Sequence, residues 1–295
     1  GSTRTISANS GFSLADKGFV NVSIEYRDND ATQRSGFDPR EQYNRLDNGS
    51  LDPREFTFDR YNHRFGKARL EDYALFYNLG YDLDEGLNLY SFGSYSKREG
   101  NSAGFYRRAK DSRNVESLYP NGFLPQIETD VVDYSLALGL EGETDNWTWD
   151  VSTNYGQNDF AFGVINSLNT SLGDSSQTEF NNGALVYDQW IVDADANTGL
   201  DLGLPGDVFF TIGAEYRRES YKIEQGEEAS YITALDNNGN PIAAGGAQVL
   251  PGFGPQSATN ESRHNVAVFA EFDTYLTDIW NIVLASRYED YSDFG

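Results

Sequence analysis

Apolar and polar residues alternate along most of this chain with a period of two, the spacing of a half-buried strand. In residues 131–141, Val132, Tyr134, Leu136, Leu138 and Leu140 fall on one face, and Asp133, Ser135, Ala137, Gly139 and Glu141 on the other. A helix would scatter those apolar residues around its circumference, whereas a strand separates them completely. The split recurs at 146–156, where Trp147, Trp149, Val151, Thr153 and Tyr155 share a face. It recurs at 208–217, with Val208, Phe210, Ile212, Ala214 and Tyr216, and at 280–289, with Trp280, Ile282, Leu284, Ser286 and Tyr288. The pattern predicts nine strands, near 17–27, 70–81, 86–98, 130–141, 146–162, 184–196, 206–222, 263–276 and 279–291. The sixth is the least regular, and no helical period of useful length is present.

The connections alternate as well. Long ones are predicted at 28–69, 99–129, 163–183 and 223–262, and short ones at 82–85, 142–145, 197–205 and 277–278. Structureless loops beyond about 15 residues are uncommon in compact domains and usually functional. With every second connection long, an antiparallel up-and-down meander carries all the long loops at one end. Short turns at one end and long loops at the other mark an outer-membrane barrel. The reading is an all-β chain of about nine long strands, part of a large outer-membrane β-barrel. A soluble sandwich or a solenoid also gives alternating strands. Sandwich loops do not alternate so regularly, however, and no short repeat period is present.

Composition narrows the function. Lys and Arg number 22 against 46 Asp and Glu, a net charge of −24, so a basic face for nucleic acid is excluded as an expectation. There is no Cys, which removes disulfides, thiolate metal sites and a Cys nucleophile. His63 and His264 are the only histidines. Aromatics make up 14% of the chain, which speaks for ordered β structure and against an acidic disordered tail. The opening Gly1-Ser2 reads as a cloning remnant, so residues 1–10 are set aside as lead-in and 11–295 are taken as one incomplete barrel domain.

Motif chemistry is sparse. The run at 193–199 (DADANTG) misses the calcium-loop pattern, with Thr198 where the loop needs Gly and Leu204 where it needs the bidentate Glu. A turn on the short-connection side is the expected reading. DNNGN at 236–240 reads as a turn tip. No nucleophile elbow, zinc-protease helix or Walker loop is present, so no catalytic residue, metal site or cofactor is expected. One cluster stands out within the second long loop: Phe105, Tyr106, Arg107, Arg108, Arg113 and Tyr119. Its Arg side chains offer planar forks for carboxylate or phosphate, and its rings offer stacking surfaces for a sugar or catechol. The competing reading is that these arginines neutralise acids inside a folded loop. A second aromatic group, Phe37, Tyr43, Phe56, Phe58, Tyr61 and Phe65, lies in the first long loop.

Several segments resemble the barrel region of TonB-dependent outer-membrane receptors. They are EYRDND (25–30), SAGFYRR (102–108), DSRNV (111–115), YPNGFLP (119–125), GAEYRRES (213–220), GAQVLPGF (246–253) and RYEDYSDFG (287–295). The resemblance implies a Gram-negative outer-membrane location and contact with outer-membrane lipid. It implies energy-coupled uptake of a small-molecule nutrient or metal chelate, such as an iron chelate, vitamin or saccharide, bound by extracellular loops and lumen. It also implies an inner-membrane energy-coupling complex acting through a plug that this sequence lacks. A passive porin-like barrel and a secreted β-rich binding module remain as rivals. The strands near 17–27 and 279–291 are expected as unpaired edges able to recruit another chain.

Overall fold

The structure, a computed structural model, describes residues 1–204 and 206–294. Pro205, in the connection expected at 197–205, and Gly295, which closes the segment 287–295, lie outside the described residues. The strands are β1 (Thr3–Leu14), β2 (Gly18–Asn29), β3 (Arg69–Asp84), β4 (Leu87–Ala103), β5 (Arg107–Arg108), β6 (Gly122–Phe123), β7 (Gln126–Thr144), β8 (Trp147–Ile165), β9 (Phe180–Leu200), β10 (Val208–Gln225), β11 (Thr259–Thr277) and β12 (Trp280–Tyr291). Ten of them form one antiparallel sheet in the order β1-β2-β3-β4-β7-β8-β9-β10-β11-β12, and β5 pairs with β6 inside a loop. The sheet is therefore a plain meander, and all four long connections leave from one end. They are loop A (30–68), loop B (104–125), loop C (166–179) and loop D (226–258).

Two expectations need correction. Residues 1–10 are not a lead-in: Thr3–Leu14 pairs with β2 over its whole length, which makes ten long strands and moves the first edge from β2 to β1. The alternation there is faint because Ala8 and Ser10 occupy two of the outward positions. Nor is 193–199 a turn. It continues β9, with Asp193, Asp195 and Asn197 on one face and Ala194, Ala196 and Thr198 on the other. The small alanines hid the alternation. By contrast 236–240 is a turn tip, where Asp236 Oδ1 accepts the backbone N–H groups of Asn238 and Asn240.

Register places the apolar residues on one continuous face. Val20, Leu79, Ser91, Leu138, Thr153, Val192, Tyr216 and Val266 are successive cross-strand partners. Direct partners share a face, so Val132 to Leu140 on β7 lie on the same side as Trp147, Trp149 and Val151 on β8. This face is not a dry core, for Leu136 keeps 51% of its surface exposed. It carries two aromatic belts. Nearer the long loops, Tyr26–Tyr73, Tyr134–Tyr155 and Trp190–Tyr216 have ring centres 5.0, 6.0 and 5.9 Å apart. Nearer the short turns, Trp147–Phe210 and Phe210–Phe272 stand at 6.3 and 4.6 Å. From Trp147 to Tyr155 is about 26 Å of strand, or roughly 20 Å of height at a tilt near 40°. An exposed apolar band of that height between aromatic girdles matches the hydrocarbon layer a barrel presents to lipid. The opposite face is polar: Asn9 Nδ2 donates to Asn21, Asn158 Nδ2 to Asp133, and Arg98 is paired with Asp72.

Aromatic rings lie over glycines directly across the ladder. The direct pairs are Gly80–Phe19, Gly93–Tyr77, Gly139–Tyr90, Gly142–Trp149 and Gly213–Phe269. A Cβ at Gly139 would stand 2.1 Å from Tyr90 Cζ, and one at Gly213 would stand 2.2 Å from Phe269 Cζ. The absent side chain is the seat of the ring. Gly139→Ala is expected to cost about 1–3 kcal/mol by overpacking, read as a lower unfolding midpoint in urea. Adding Tyr90→Ala should recover part of that loss; a fully additive pair would refute the seating.

Candidate ligand-binding face: loop cap and lumen wall

Loop A is built around two buried carboxylates. Asp38 accepts from Arg40 Nε and Nη2 (both 2.8 Å), the Arg40 backbone N–H (3.1 Å), Gln42 Nε2 (3.0 Å) and Asn62 Nδ2 (3.2 Å). Burial works against its charge, but these donors outweigh it and hold the carboxyl well below the usual range. Glu55 Oε1 accepts the backbone N–H groups of Gln42 (2.6 Å) and Tyr43 (2.8 Å), and Glu55 Oε2 accepts Arg60 Nη2 (2.5 Å). The tripeptide Asp-Pro-Arg occurs at 38–40 and again at 52–54, where Asp52 accepts from the Arg54 backbone and side chain in the same way. Proline fixes the turn, and the two-residue spacing lets one carboxylate meet both groups of the arginine.

The low pKa of Asp38 has a consequence for pH. A carboxyl depressed in the fold contributes stability that is complete above its unfolded value, about 3.9. That stability is lost as pH falls through the lower folded value. The Asp38 share of loop A's resistance to proteolysis is thus expected to hold from pH 7 to about 4 and to fall only below that, whereas His63 in the same loop, kept neutral by burial, withdraws stability as pH falls below about 6.5. With His63 replaced by Phe, cleavage within 30–68 that rises steeply between pH 7 and 5 would contradict the Asp38 assignment.

Loop B carries the sequence-identified cluster, and the fold divides it. Tyr106 is buried against Phe58 and His63, donates to the Asn121 carbonyl at 2.8 Å, and has its pKa pushed up to about 12 by burial. Tyr119 stacks on Phe123 at 4.6 Å and donates to the Ser167 carbonyl of loop C at 3.1 Å. Arg108 Nη1 donates to the Glu41 carbonyl of loop A at 3.0 Å. These three side chains tie loops together. Phe105 remains exposed, edge-on to His63 at 5.5 Å. Among the described residues the Arg107 side chain donates only to the Phe105 carbonyl, at 3.1 Å, and its pKa is lowered by burial and then by Arg113. The side chain of Arg113 is exposed. Burial also lowers the pKa of His63, which favours the neutral ring.

The ties continue around the rim. Tyr43 Oη donates to Asn121 Oδ1 at 2.9 Å, and Arg54 lies over the Tyr43 ring at 4.1 Å while donating to the Pro120 carbonyl at 3.2 Å. Asn169 Nδ2, in loop C, donates to the carbonyls of Ala229 and Ile232 in loop D at 2.9 Å. Ser167 Oγ donates to the Gln248 carbonyl, and Asn169 bridges Ala247. The buried apolar cluster Val164, Phe180 and Ala247 sits here, at the loop end of the sheet. The four loops therefore form one cap.

Below the cap, the lumen side of β8 to β12 mixes aromatics with charge. Tyr187 and Tyr221 are direct partners, and Tyr187 Oη and Arg263 Nε both donate to Glu219 at 2.7 Å. Glu215 pairs with Arg217 (2.8 Å) and Arg287 (3.2 Å). Nearer the short turns, Glu141, Asp150 and Asp195 are successive partners on three strands. The sequence reading did not single out this wall, or Asp38 and Glu55, and it named Tyr43 only as one of an aromatic group in the first long loop. The repeated Asp-Pro-Arg was the signal for the loop A network; the wall becomes visible only with register. Among the described residues no three metal-ligating side chains converge.

An open meander with a lipid-compatible outer face, a polar inner face and a tied loop cap is a segment of a large outer-membrane barrel wall. The family described as "TonB dependent receptor-like, beta-barrel" matches residues 90–295, and this chain belongs to it. Solved structures share the fold. The siderophore receptor PirA from Acinetobacter baumannii is 15% identical, with a TM-score of 0.56 over 98% of this chain and 36% of that one. FpvA from P. aeruginosa, bound to a heterologous pyoverdine, is 11% identical, with a TM-score of 0.61 over 98% and 35%. The ferric enterobactin receptor PfeA of Pseudomonas aeruginosa, as a mutant with enterobactin, is 11% identical, with a TM-score of 0.59 over 98% and 37%. The chain thus spans just over a third of the length of these structures. No curated protein matches it by sequence.

Proposed function

We propose that the full-length protein is an outer-membrane receptor for energy-coupled uptake of an organic nutrient or metal chelate, with this chain supplying part of its wall and ligand-gathering loops. The observation that carries the reading is the cap: four long loops fixed to one another above a polar, aromatic-lined lumen. In a passive pore the loops need not be tied around buried carboxylates. A secreted module would not expose a belted apolar face to water. Phe105, Arg107 and Arg113 are the members of the loop B cluster placed to meet ligand; Tyr106, Arg108 and Tyr119 hold them there. Fold relatives, one named a ferric enterobactin receptor and one solved with a pyoverdine and iron, support a chelate as the first class to test.

The test is calorimetric binding of ferric enterobactin, ferric pyoverdine, cobalamin and a maltodextrin to the full-length protein in detergent. One class is expected to bind. A charge-assisted hydrogen bond is worth about 1.5–3 kcal/mol, so Arg107→Ala combined with Arg113→Ala should weaken that binding at least tenfold. Free passage of small sugars through reconstituted, unenergised protein, with no binding to any probe, would assign it to the passive pores instead.

A further inference from the structure

On the outward face, β9 to β12 leave an apolar groove of about 590 Å³ lined by Ala194, Ala196, Ile212, Ala214, Val268 and Ala270. Neighbouring parts of the belt are filled by Leu, Tyr and Trp side chains; here most side chains stop short, with Tyr288 at the β12 border. At the loop-side end stands Arg218, which alternates outward with Ala214 and Tyr216. It lies directly opposite Trp190 on β9 and His264 on β11. The His264 ring stacks on Tyr216 at 6.2 Å. Arg218 is therefore at the level of the loop-side aromatic girdle, about 13 Å along the strand above Ala214.

Arg218 is exposed, and among the described residues it has no carboxylate within 4.0 Å. Three other outward cations near this level are matched, Lys97 to Glu99 and Asp130, Lys222 to Glu224 and Arg69 to Glu71, while Arg4 on the edge strand β1 is not. In a chain of net charge −24, an unmatched arginine beside an interfacial tryptophan lacks an anion. An anion that pairs with it would come from outside the chain, at headgroup depth. The groove below it lacks an apolar filling that enters from the same direction. One molecule satisfies both, with a phosphate at one end and hydrocarbon at the other.

We infer that Arg218 and the groove beneath it form a binding site for a phosphorylated lipid of the outer leaflet, its phosphate on the Arg218 guanidinium and an acyl chain in the groove. The guanidinium fork fits two phosphate oxygens, and His264 can add a further N–H. Trp190 sits where an interfacial ring borders a headgroup. The leaflet follows from the loops, since the longer loops of such barrels are extracellular. The inference rests on the outer-membrane reading, which fractionation of the wild-type protein tests independently.

The experiment is native mass spectrometry of the full-length protein, delipidated in detergent and mixed with lipid A, with dephosphorylated lipid A, or with inorganic phosphate. One retained lipid A is expected on the wild type. Retention should fall at least tenfold with Arg218→Ala and also with Ala214→Phe, which fills the groove, and should survive in part with Arg218→Lys. Gel mobility before and after heating verifies that each variant remains a folded barrel. Equal retention of dephosphorylated lipid A, competition by inorganic phosphate alone, unchanged retention in the folded variants, or a second protein copy released by Ala214→Phe would each overturn the site.

Discussion

Replacing Glu55 with alanine is expected to unlock loop A while leaving the sheet intact. The carboxylate is buried, and three donors converge on it: the backbone N–H groups of Gln42 and Tyr43 and the Arg60 guanidinium. Removing it leaves two buried amides and a largely buried cation without their acceptor. Breaking one side of such a pair costs about 3–5 kcal/mol. Arg60 would still donate to the carbonyls of Asp38 and Arg40, which favours the lower end of that range. The loss should be local, because loop A meets the long strands at its ends and through Arg64, which donates to Asn101 of β4, and Glu55 holds none of these contacts. Hydrogen exchange checks this: the amides of Gln42 and Tyr43 should lose protection, while those of β7 and β8 keep theirs. Unchanged protection at both amides would mean that the carboxylate contributes nothing to the loop.

Leu138→Arg is expected to impair membrane assembly, and Asn154→Arg to leave it almost untouched. Leu138 lies midway between the aromatic girdles on the outward face, opposite Ser91 and Thr153. Asn154, on the neighbouring strand, faces the lumen opposite Ala137 and Ile191. A lipid-facing arginine near the bilayer midplane costs about 2–4 kcal/mol, while a lumen position is wet. The readout is the fraction of full-length protein that reaches the heat-modifiable folded form in lipid vesicles. Equal yields from the two variants would reverse or erase the assignment of faces, on which the lipid site and the lumen wall both depend.

How much was legible beforehand depended on the range of the interaction. Strands with large outward side chains, such as Leu136, Leu138 and Leu140, announce themselves through alternation. β1 does not, because Ala8 and Ser10 carry too little contrast and its strand character comes from pairing with β2. The continuation of β9 through Asp193 to Leu200 was obscured for the same reason. The loop B cluster was visible as composition, but its division was not. Tyr106 and Arg108 are committed to partners such as Asn121 and Glu41, the latter 67 residues away, and nothing near them in sequence encodes that. The polar core of loop A was half-written in the repeated Asp-Pro-Arg, although the arrival of Glu55 at Gln42 and Tyr43 depended on the loop folding back on itself.

The ties among the loops bear on how the proposed receptor would change its ligand. Asn169 of loop C is held by carbonyls of loop D, Tyr119 of loop B by a carbonyl of loop C, and the Glu41 carbonyl of loop A by Arg108 of loop B. None of the four is an independent cassette. Recombination that exchanges one loop with a sister gene would bring donors whose acceptors stayed behind, whereas a crossover carrying the span from loop A through loop D would transfer the network whole. Diversification by this route should leave the four loops co-inherited as a block, with point changes confined to side chains such as Phe105 and Arg113 that project from the network without closing it.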